Sequence, residues 1–154
     1  MKLLLDTHIA LWAVTDSPKL GVIARELILA PENLIYVSAA TLLEIAIKCA
    51  LMGGGEGNRA GRSDMPVSAA RAAALFALSD YQPLPMDWAH AQTVSALPTM
   101  KAHADPFDRM LVTQARSERM TLSNRDAAVA DYGDRVMLVC SHGDGGEGRV
   151  ALLA

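Results

Sequence analysis

The sequence predicts an α/β domain with a mainly parallel central sheet flanked by helices. Short apolar runs alternate along the chain with longer segments of helical periodicity. Two of these runs are soon followed by an acid, as expected where parallel strands end at a functional crevice. The length of 154 residues and the 51% apolar content suit one domain with a sizeable core.

In the first part of the chain, apolar runs predict strands at 2–5 and 34–37, the first ending at Asp6. Apolar residues at helical spacing predict helices at 9–14, 17–30 and 40–52. Ser17-Pro18 is the expected start of the second helix, because proline tolerates the first helical turn. Residues 53–64 include five glycines and predict a flexible loop within the domain.

The remaining elements follow the same alternation. Further helices are predicted at 67–78, at 87–97 behind an Asp87 cap, from Asp105 onward, and at 126–132 before Gly133. Strands are predicted at 120–123 and 135–140, with a short, proline-containing edge strand at 81–85. We therefore expect one domain over 1–140 and a loose carboxyl-terminal tail over 141–154.

Composition restricts the possible partners and compartment. A formal net charge of −3 gives no general attraction to nucleic acid or membrane, so binding to RNA or DNA requires a local patch or a bound metal. Cys49 and Cys140 lie in apolar surroundings without C-x-x-C spacing, which indicates two buried, reduced thiols. No apolar run reaches membrane-spanning length, and we expect a cytoplasmic protein.

A run of acids near predicted strand ends and helix starts suggests a site. Asp105-Pro106 is a helix-start signature, and Asp108 lies on the same side of the first turn. Four carboxylates could share one end of the sheet, namely those of Asp6, Glu44, Asp108 and Asp126.

Each of these acids also has a purely structural interpretation. Asp105 and Asp126 fit helix caps, Thr41 to Glu44 fits a capping box, and Asp6 fits a turn. As a group they favour a cation, because two charges about 4 Å apart repel by roughly 4 kcal/mol at an effective dielectric near 20. Oxygen ligands of this kind suit Mg²⁺ or Mn²⁺.

Four segments together resemble a known family. They are Asp6-Thr7-His8 with Leu11-Trp12, Ser38-Ala39-Ala40 with Glu44 to Lys48, the H-x-D-P-F-D-R run from His103 to Ala115, and Leu122 to Asp126. In order and spacing the chain resembles PIN-domain ribonucleases of the VapC toxin type, from Lys2 to about Cys140. The resemblance implies a small α/β PIN fold.

The resemblance also implies roles for individual residues. The catalytic and metal-binding acids would be Asp6, Glu44, Asp108 and Asp126, with Asp105 an added acid that assists a metal or caps the helix. Alignment through Asp108-Arg109-Met110 favours Asp108 over Asp105 as the main ligand. Phosphate contacts would come from Arg109, Arg125 and Lys48, although Lys48 equally fits a helical pair with Glu44. Supporting positions would be Ser38, Asn124 and His103.

Two features depart from the family pattern. Asn124 stands where the family often has threonine in a T-x-D pattern, which keeps a polar side chain but no hydroxyl. The glycine-rich 53–64 segment is also unlike the shorter connection expected. Neither departure removes an acid.

The implied function is Mg²⁺- or Mn²⁺-dependent hydrolysis of RNA that leaves a 5′-phosphate and a 3′-hydroxyl. Such a protein would be the toxin of a toxin–antitoxin pair, restrained by a VapB-like antitoxin, and a homodimer. Partner or self-association would use the helices at 17–30 and 67–78, unless these faces pack in the core. One alternative is a PIN-like module that binds RNA or protein without cleaving. A phosphatase or receiver domain is disfavoured, because His8 replaces the second acid of D-x-D.

The histidines and tryptophans have structural interpretations. We expect His8 and His103 to support the backbone, and His90 to pack against an alanine-rich helix. Trp12 and Trp88 both sit among apolar neighbours at helical spacing and are predicted to lie in the core.

Overall fold

The computed structural model describes residues 1–51, 65, 67–98, 105–133 and 135–139, and the backbone of 151–152. Within these ranges the strands are β1 Lys2–Leu5, β2 Leu34–Ser38, β3 Gln82–Leu84, β4 Thr121–Asn124, β5 Val136–Leu138 and β6 Ala151–Leu152. The helices are α1 Thr7–Val14, α2 Val22–Leu29, α3 Ala39–Leu51, α4 Ala69–Leu78, α5 Trp88–Thr93, α6 Pro106–Ser117 and α7 Ala127–Ala130.

The strands form one sheet in the order β3-β2-β1-β4-β5-β6. Strands β1 to β5 pair in parallel, and β6 pairs antiparallel with β5. The predicted α/β class with a mainly parallel sheet is therefore confirmed, as is the edge position of β3. Because the order reverses between β1 and β4, a crevice is expected where β1 ends, directly before Asp6.

The side chains of β1 point alternately to the two faces of the sheet. Leu3 and Leu5 join a core with residues of α1 to α4, whereas Leu4 joins a second core with residues of α6 and α7. All three leucines are fully buried, and each contributes roughly 2 kcal/mol of apolar burial. Helices on both faces therefore hold the central strand, and with it the position of Asp6.

Two predicted helix boundaries lie four or more residues from the observed ones. Helix α2 begins at Val22, because Ser17 instead forms a turn whose carbonyl accepts from the Leu20 amide at 3.1 Å. Helix α5 ends at Thr93, and a short 3-10 turn covers Val94–Ala96.

The prediction for the two tryptophans is half right. Trp12 is buried in the core, whereas Trp88 is 86% exposed. Trp88 is the first residue of α5 after the Asp87 cap, and His90 is the buried side chain of that helix. His90 is structural as predicted, but through a capping box with Asp87 and a 3.2 Å contact from Nε2 to Glu118.

The structure describes only part of the predicted loop and tail. Residues 53–64 lie outside the described residues, as do Cys140 and most of 141–154. Within that expected tail, Ala151–Leu152 form β6, so this part is a paired strand. Cys49 is half-buried, with Sγ 3.7 Å from the Val67 carbonyl oxygen. No helix in the described ranges is long and apolar enough to cross a membrane.

Candidate active site

Asp6 lies at the junction where β1 ends and α1 begins. Its amide donates to the Ser123 carbonyl of β4 at 3.0 Å, and its carbonyl accepts from the Ala10 amide at 2.8 Å. The residue is 5% exposed. The apolar strand and the following helical segment thus hold an acid at a buried position, because both flanking backbones are fixed by hydrogen bonds.

The environment of Asp6 strongly disfavours its negative charge. The pKa of Asp6 is raised to about 7, mainly by burial and in addition by the charges of Asp108 and Glu44, while the amides of Thr7 and His8 partly oppose the shift. Three of the predicted acids therefore act on one another here, although they come from distant parts of the chain. We call Asp6, Glu44 and Asp108 the acidic cluster.

Glu44 is the second buried acid of the cluster, at 5% exposure on α3. The Thr7 hydroxyl donates to its Oε2 at 2.6 Å, and the Lys48 ammonium donates to its Oε1. The capping-box interpretation is wrong, because α3 already begins at Ala39, and Thr41 lies inside the helix. Ser38 takes the capping position, its Oγ accepting from the Ala40 amide at 2.9 Å.

Lys48 lies one helical turn after Glu44, and its side chain is 33% exposed. Partial burial lowers the pKa of Lys48, but the hydrogen bond to Glu44 and the charges of Glu44, Asp105 and Asp108 outweigh it and raise the pKa above its usual value. The structure thus shows the predicted pair with Glu44. It also shows that the Lys48 ammonium interacts electrostatically with Asp105 and Asp108, the acids at the start of α6.

Two of the predicted acids serve as helix caps. Asp105 Oδ1 accepts from the Phe107 amide at 2.8 Å, and Asp126 Oδ1 accepts from the Ala128 amide at 2.9 Å. Both residues are exposed. Asp126 follows β4, the neighbour of β1, so it lies at the same edge of the sheet as Asp6.

Two buried polar side chains support the backbone around the cluster. Ser38 Oγ donates to Gln114 Oε1 at 2.5 Å, which joins the end of β2 to α6. Asn124 Oδ1 accepts from the Asp126 amide at 2.7 Å, so asparagine performs a local positioning role without a hydroxyl. Within the described residues its buried Nδ2 has no hydrogen-bond partner.

The sequence interpretation assigned no role to Thr7 or Gln114. Both are buried, at 1% and 0% exposure, and both bond to residues of the site. Gln114 could have been found, since a polar side chain on the apolar face of a predicted helix requires a buried partner.

Arg109, a predicted phosphate contact, is engaged by protein groups, and its contact with phosphate stays a prediction. Its guanidinium donates to the carbonyls of Pro98, Val94 and Leu97 at 2.9 to 3.2 Å and to the Tyr132 hydroxyl at 3.1 Å. These bonds engage both terminal nitrogens of the guanidinium and connect the end of the 3-10 turn to α6.

Roles were also predicted for Arg125, His8 and His103. Arg125 is exposed, and its guanidinium lies 5.1 Å from the centre of the Trp12 ring. His8 also contacts that ring, at 5.9 Å between centres. His103 lies outside the described residues.

The donor set of the cluster suits a hard divalent cation, since its ligands are carboxylate oxygens and their mutual repulsion already disfavours the charge on Asp6. Across the part of the chain that is described, no three His, Cys, Asp or Glu side chains stand close enough to hold one ion. Glu44 is instead engaged by Thr7 and Lys48. A cation held by three or more of these acids therefore requires side chains to rearrange.

Comparison with known proteins identifies the family. No curated protein matches the chain in a sequence search. Among solved structures, a chain from the crystal structure of VapBC2 from Rickettsia felis bound to a DNA fragment from their promoter shares the fold. The TM-score is 0.58 at 16% identity, and the match covers 86% of this chain and 93% of that chain. The family model of the PIN domain matches residues 3–134, and the protein therefore belongs to the PIN domain family.

Proposed function

We propose that this protein is a Mg²⁺- or Mn²⁺-dependent endoribonuclease. The observation that carries the proposal is the acidic cluster beside the carboxyl end of β1, where the pKa of Asp6 rises to about 7 because of burial and of Asp108 and Glu44. Carboxylates that repel one another in this way favour a bound cation. Membership of the PIN domain family supports nuclease chemistry at this position.

The roles of the chain's own residues follow from their positions. Asp6, Glu44 and Asp108, with Asp126 at the neighbouring strand end, would hold the cation, and Asp105 would assist them. When bound, a divalent cation supplies a more acidic water and neutralises charge on the phosphate. Thr7 keeps the Glu44 carboxylate oriented, because its hydroxyl donates to Oε2 at 2.6 Å. The exposed Arg125 is the side chain we assign to phosphate contact.

We further propose that the protein is a VapC-type toxin, restrained in the cytoplasm by a VapB-like antitoxin and active as a homodimer. The shared fold with a chain from the VapBC2 complex supports this assignment. A net charge of −3 means that RNA is not attracted by the chain as a whole. The cation and local arginines would therefore provide the attraction.

The test is cleavage of a mixed small-RNA pool by the purified protein, with Mg²⁺ or Mn²⁺ against EDTA. Asp6→Asn and Asp108→Asn should abolish metal-dependent cutting. Asp80→Asn is the matched control: it makes the same chemical change at an exposed turn residue before β3, where the positive φ of 56° suits asparagine. Cutting that persists in both cluster variants would contradict metal-dependent cleavage at the acidic cluster.

A PIN module that binds RNA without cleaving it is the second candidate. The observation in its favour is that, among the described residues, the acids do not stand ready to hold an ion. That candidate predicts RNA binding that is equal with EDTA and with Mg²⁺, and no cutting once co-purified antitoxin has been removed.

A further inference from the structure

The ion pair of Lys48 with Glu44 puts a positive charge on a carboxylate that the proposed function assigns to a metal. Lys48 Nζ donates to Oε1, and the Thr7 hydroxyl donates to Oε2 at 2.6 Å. Both oxygens of the buried Glu44 carboxylate are therefore engaged. A cation that uses this carboxylate meets an ammonium already bound to it.

The surroundings of Lys48 carry several further negative charges. Asp105 and Asp108, at the start of α6, act electrostatically on the Lys48 ammonium together with Glu44. Asp108 and Glu44 also act on Asp6. Lys48 thus faces the same acids that form the acidic cluster, and it offsets part of their repulsion.

We propose that Lys48 is a built-in counter-ion of the acidic cluster, and that a divalent cation must displace its ammonium from Glu44 in order to bind. The inference rests on the proposed function, because it concerns control of that metal site. A lysine stem is flexible and its ammonium strongly hydrated, and this side chain is 33% exposed. Its head can therefore move into water while Thr7 retains the Glu44 carboxylate.

Displacement gives Lys48 two consecutive roles. Before a cation binds, the ammonium neutralises Glu44 and keeps a buried carboxylate paired. Afterwards it is a free cation beside the site, within reach of an RNA phosphate. The two alternatives from the sequence, a pair with Glu44 and a phosphate contact, become successive states of one side chain.

The test measures Mn²⁺ binding without RNA, by calorimetry of the purified full chain and by electron paramagnetic resonance of free Mn²⁺. Lys48→Gln removes the competing charge and should bind Mn²⁺ roughly tenfold more tightly than the wild type. Lys48→Arg should bind Mn²⁺ several-fold more weakly, because a guanidinium holds a carboxylate with two parallel bonds. Lys19→Gln, at an exposed position between α1 and α2, should match the wild type.

The outcomes separate this proposal from the proposed function. Lys48→Gln affinity equal to or below that of the wild type overturns the counter-ion role, and leaves metal-dependent cleavage standing. If thermal unfolding in EDTA shows that Lys48→Gln does not fold, the test relies on Lys48→Arg. A Mn²⁺ affinity of Lys48→Arg equal to or above that of the wild type overturns the proposal. Absence of Mn²⁺ binding from all four proteins overturns both proposals.

Discussion

The protein holds its acids in two different environments. Asp6 and Glu44 are each 5% exposed, and Glu44 and Asp108 both act on Asp6, whereas Asp105 and Asp126 are exposed and cap α6 and α7. The caps satisfy amides at helix starts, where the helix dipole favours a carboxylate. The buried acids destabilise one another until a cation or a proton is present. Acids within one domain thus perform opposite energetic roles, depending on whether they are buried together or cap a helix.

The largest expected effect is the loss of RNA cleavage when a buried acid is replaced. Asp6→Asn should lower metal-dependent RNA cleavage at least about 100-fold, because removing a group that only orients a metal ligand already costs metalloenzymes up to that factor. Asp126→Asn retains a capping side chain, so its melting temperature should stay at the wild-type value while cleavage falls. Single-turnover cleavage rates and thermal unfolding give the two readouts. Full activity of Asp126→Asn would show that this acid is a cap alone.

The next effect is on stability as a function of pH. The folded pKa of Asp6 is raised from 3.8 to about 7, so the unfolded chain releases this proton first as the pH rises. Without metal, Asp6 should therefore reduce the free energy of unfolding progressively between pH 4 and pH 7, by about 4 kcal/mol in total. Urea unfolding in EDTA should show a flatter pH profile for Asp6→Asn. Identical profiles would contradict the raised pKa.

The arginines beside Asp108 and Asp126 extend the comparison. Arg109→Met should lower the free energy of unfolding by about 2 kcal/mol, because partly buried carbonyls lose charged donors. Arg125→Met should cost at most about 1 kcal/mol, the value of an exposed cation–π contact. Urea unfolding of both variants checks this. Equal losses would remove the distinction between a structural and a solvent-facing arginine.

The smallest effect concerns the cap of α6. Asp105→Ala should destabilise the protein by about 1 kcal/mol, whereas Asp105→Asn should be nearly neutral, since both asparagine and aspartate accept from the Phe107 amide. Thermal unfolding measures both. A large loss of stability in Asp105→Asn would show that the negative charge of Asp105 has a role beyond capping.

Much of the fold could be predicted because local patterns and tertiary structure agree. The apolar run before Asp6 became the central strand, and Asp105-Pro106 became the start of α6. Trp88 was mispredicted because periodicity cannot tell which face of a short helix is covered. The start of α2 was misplaced because Ser17-Pro18 fits a turn as well as a helix.

The site was less predictable, for physical reasons. The sequence supplied the acids, the possible caps at Asp105 and Asp126 and the possible pair of Glu44 with Lys48. It could not show that the Thr7 hydroxyl donates to Glu44, because that contact depends on the packing of two helices distant in sequence. Arg109 illustrates the limit: its neighbours in the chain suggested phosphate, and its neighbours in space are carbonyl oxygens.

The hydrogen bond from the Asp6 amide to the Ser123 carbonyl joins the beginning of the chain to a strand near its end. During synthesis on the ribosome, β1 and Glu44 emerge well before Asp108 and β4. A fragment that terminates between them therefore carries only part of the acidic cluster and lacks one neighbour of its central strand. The order of translation itself delays assembly of the site until Asp108 and β4 have also been made.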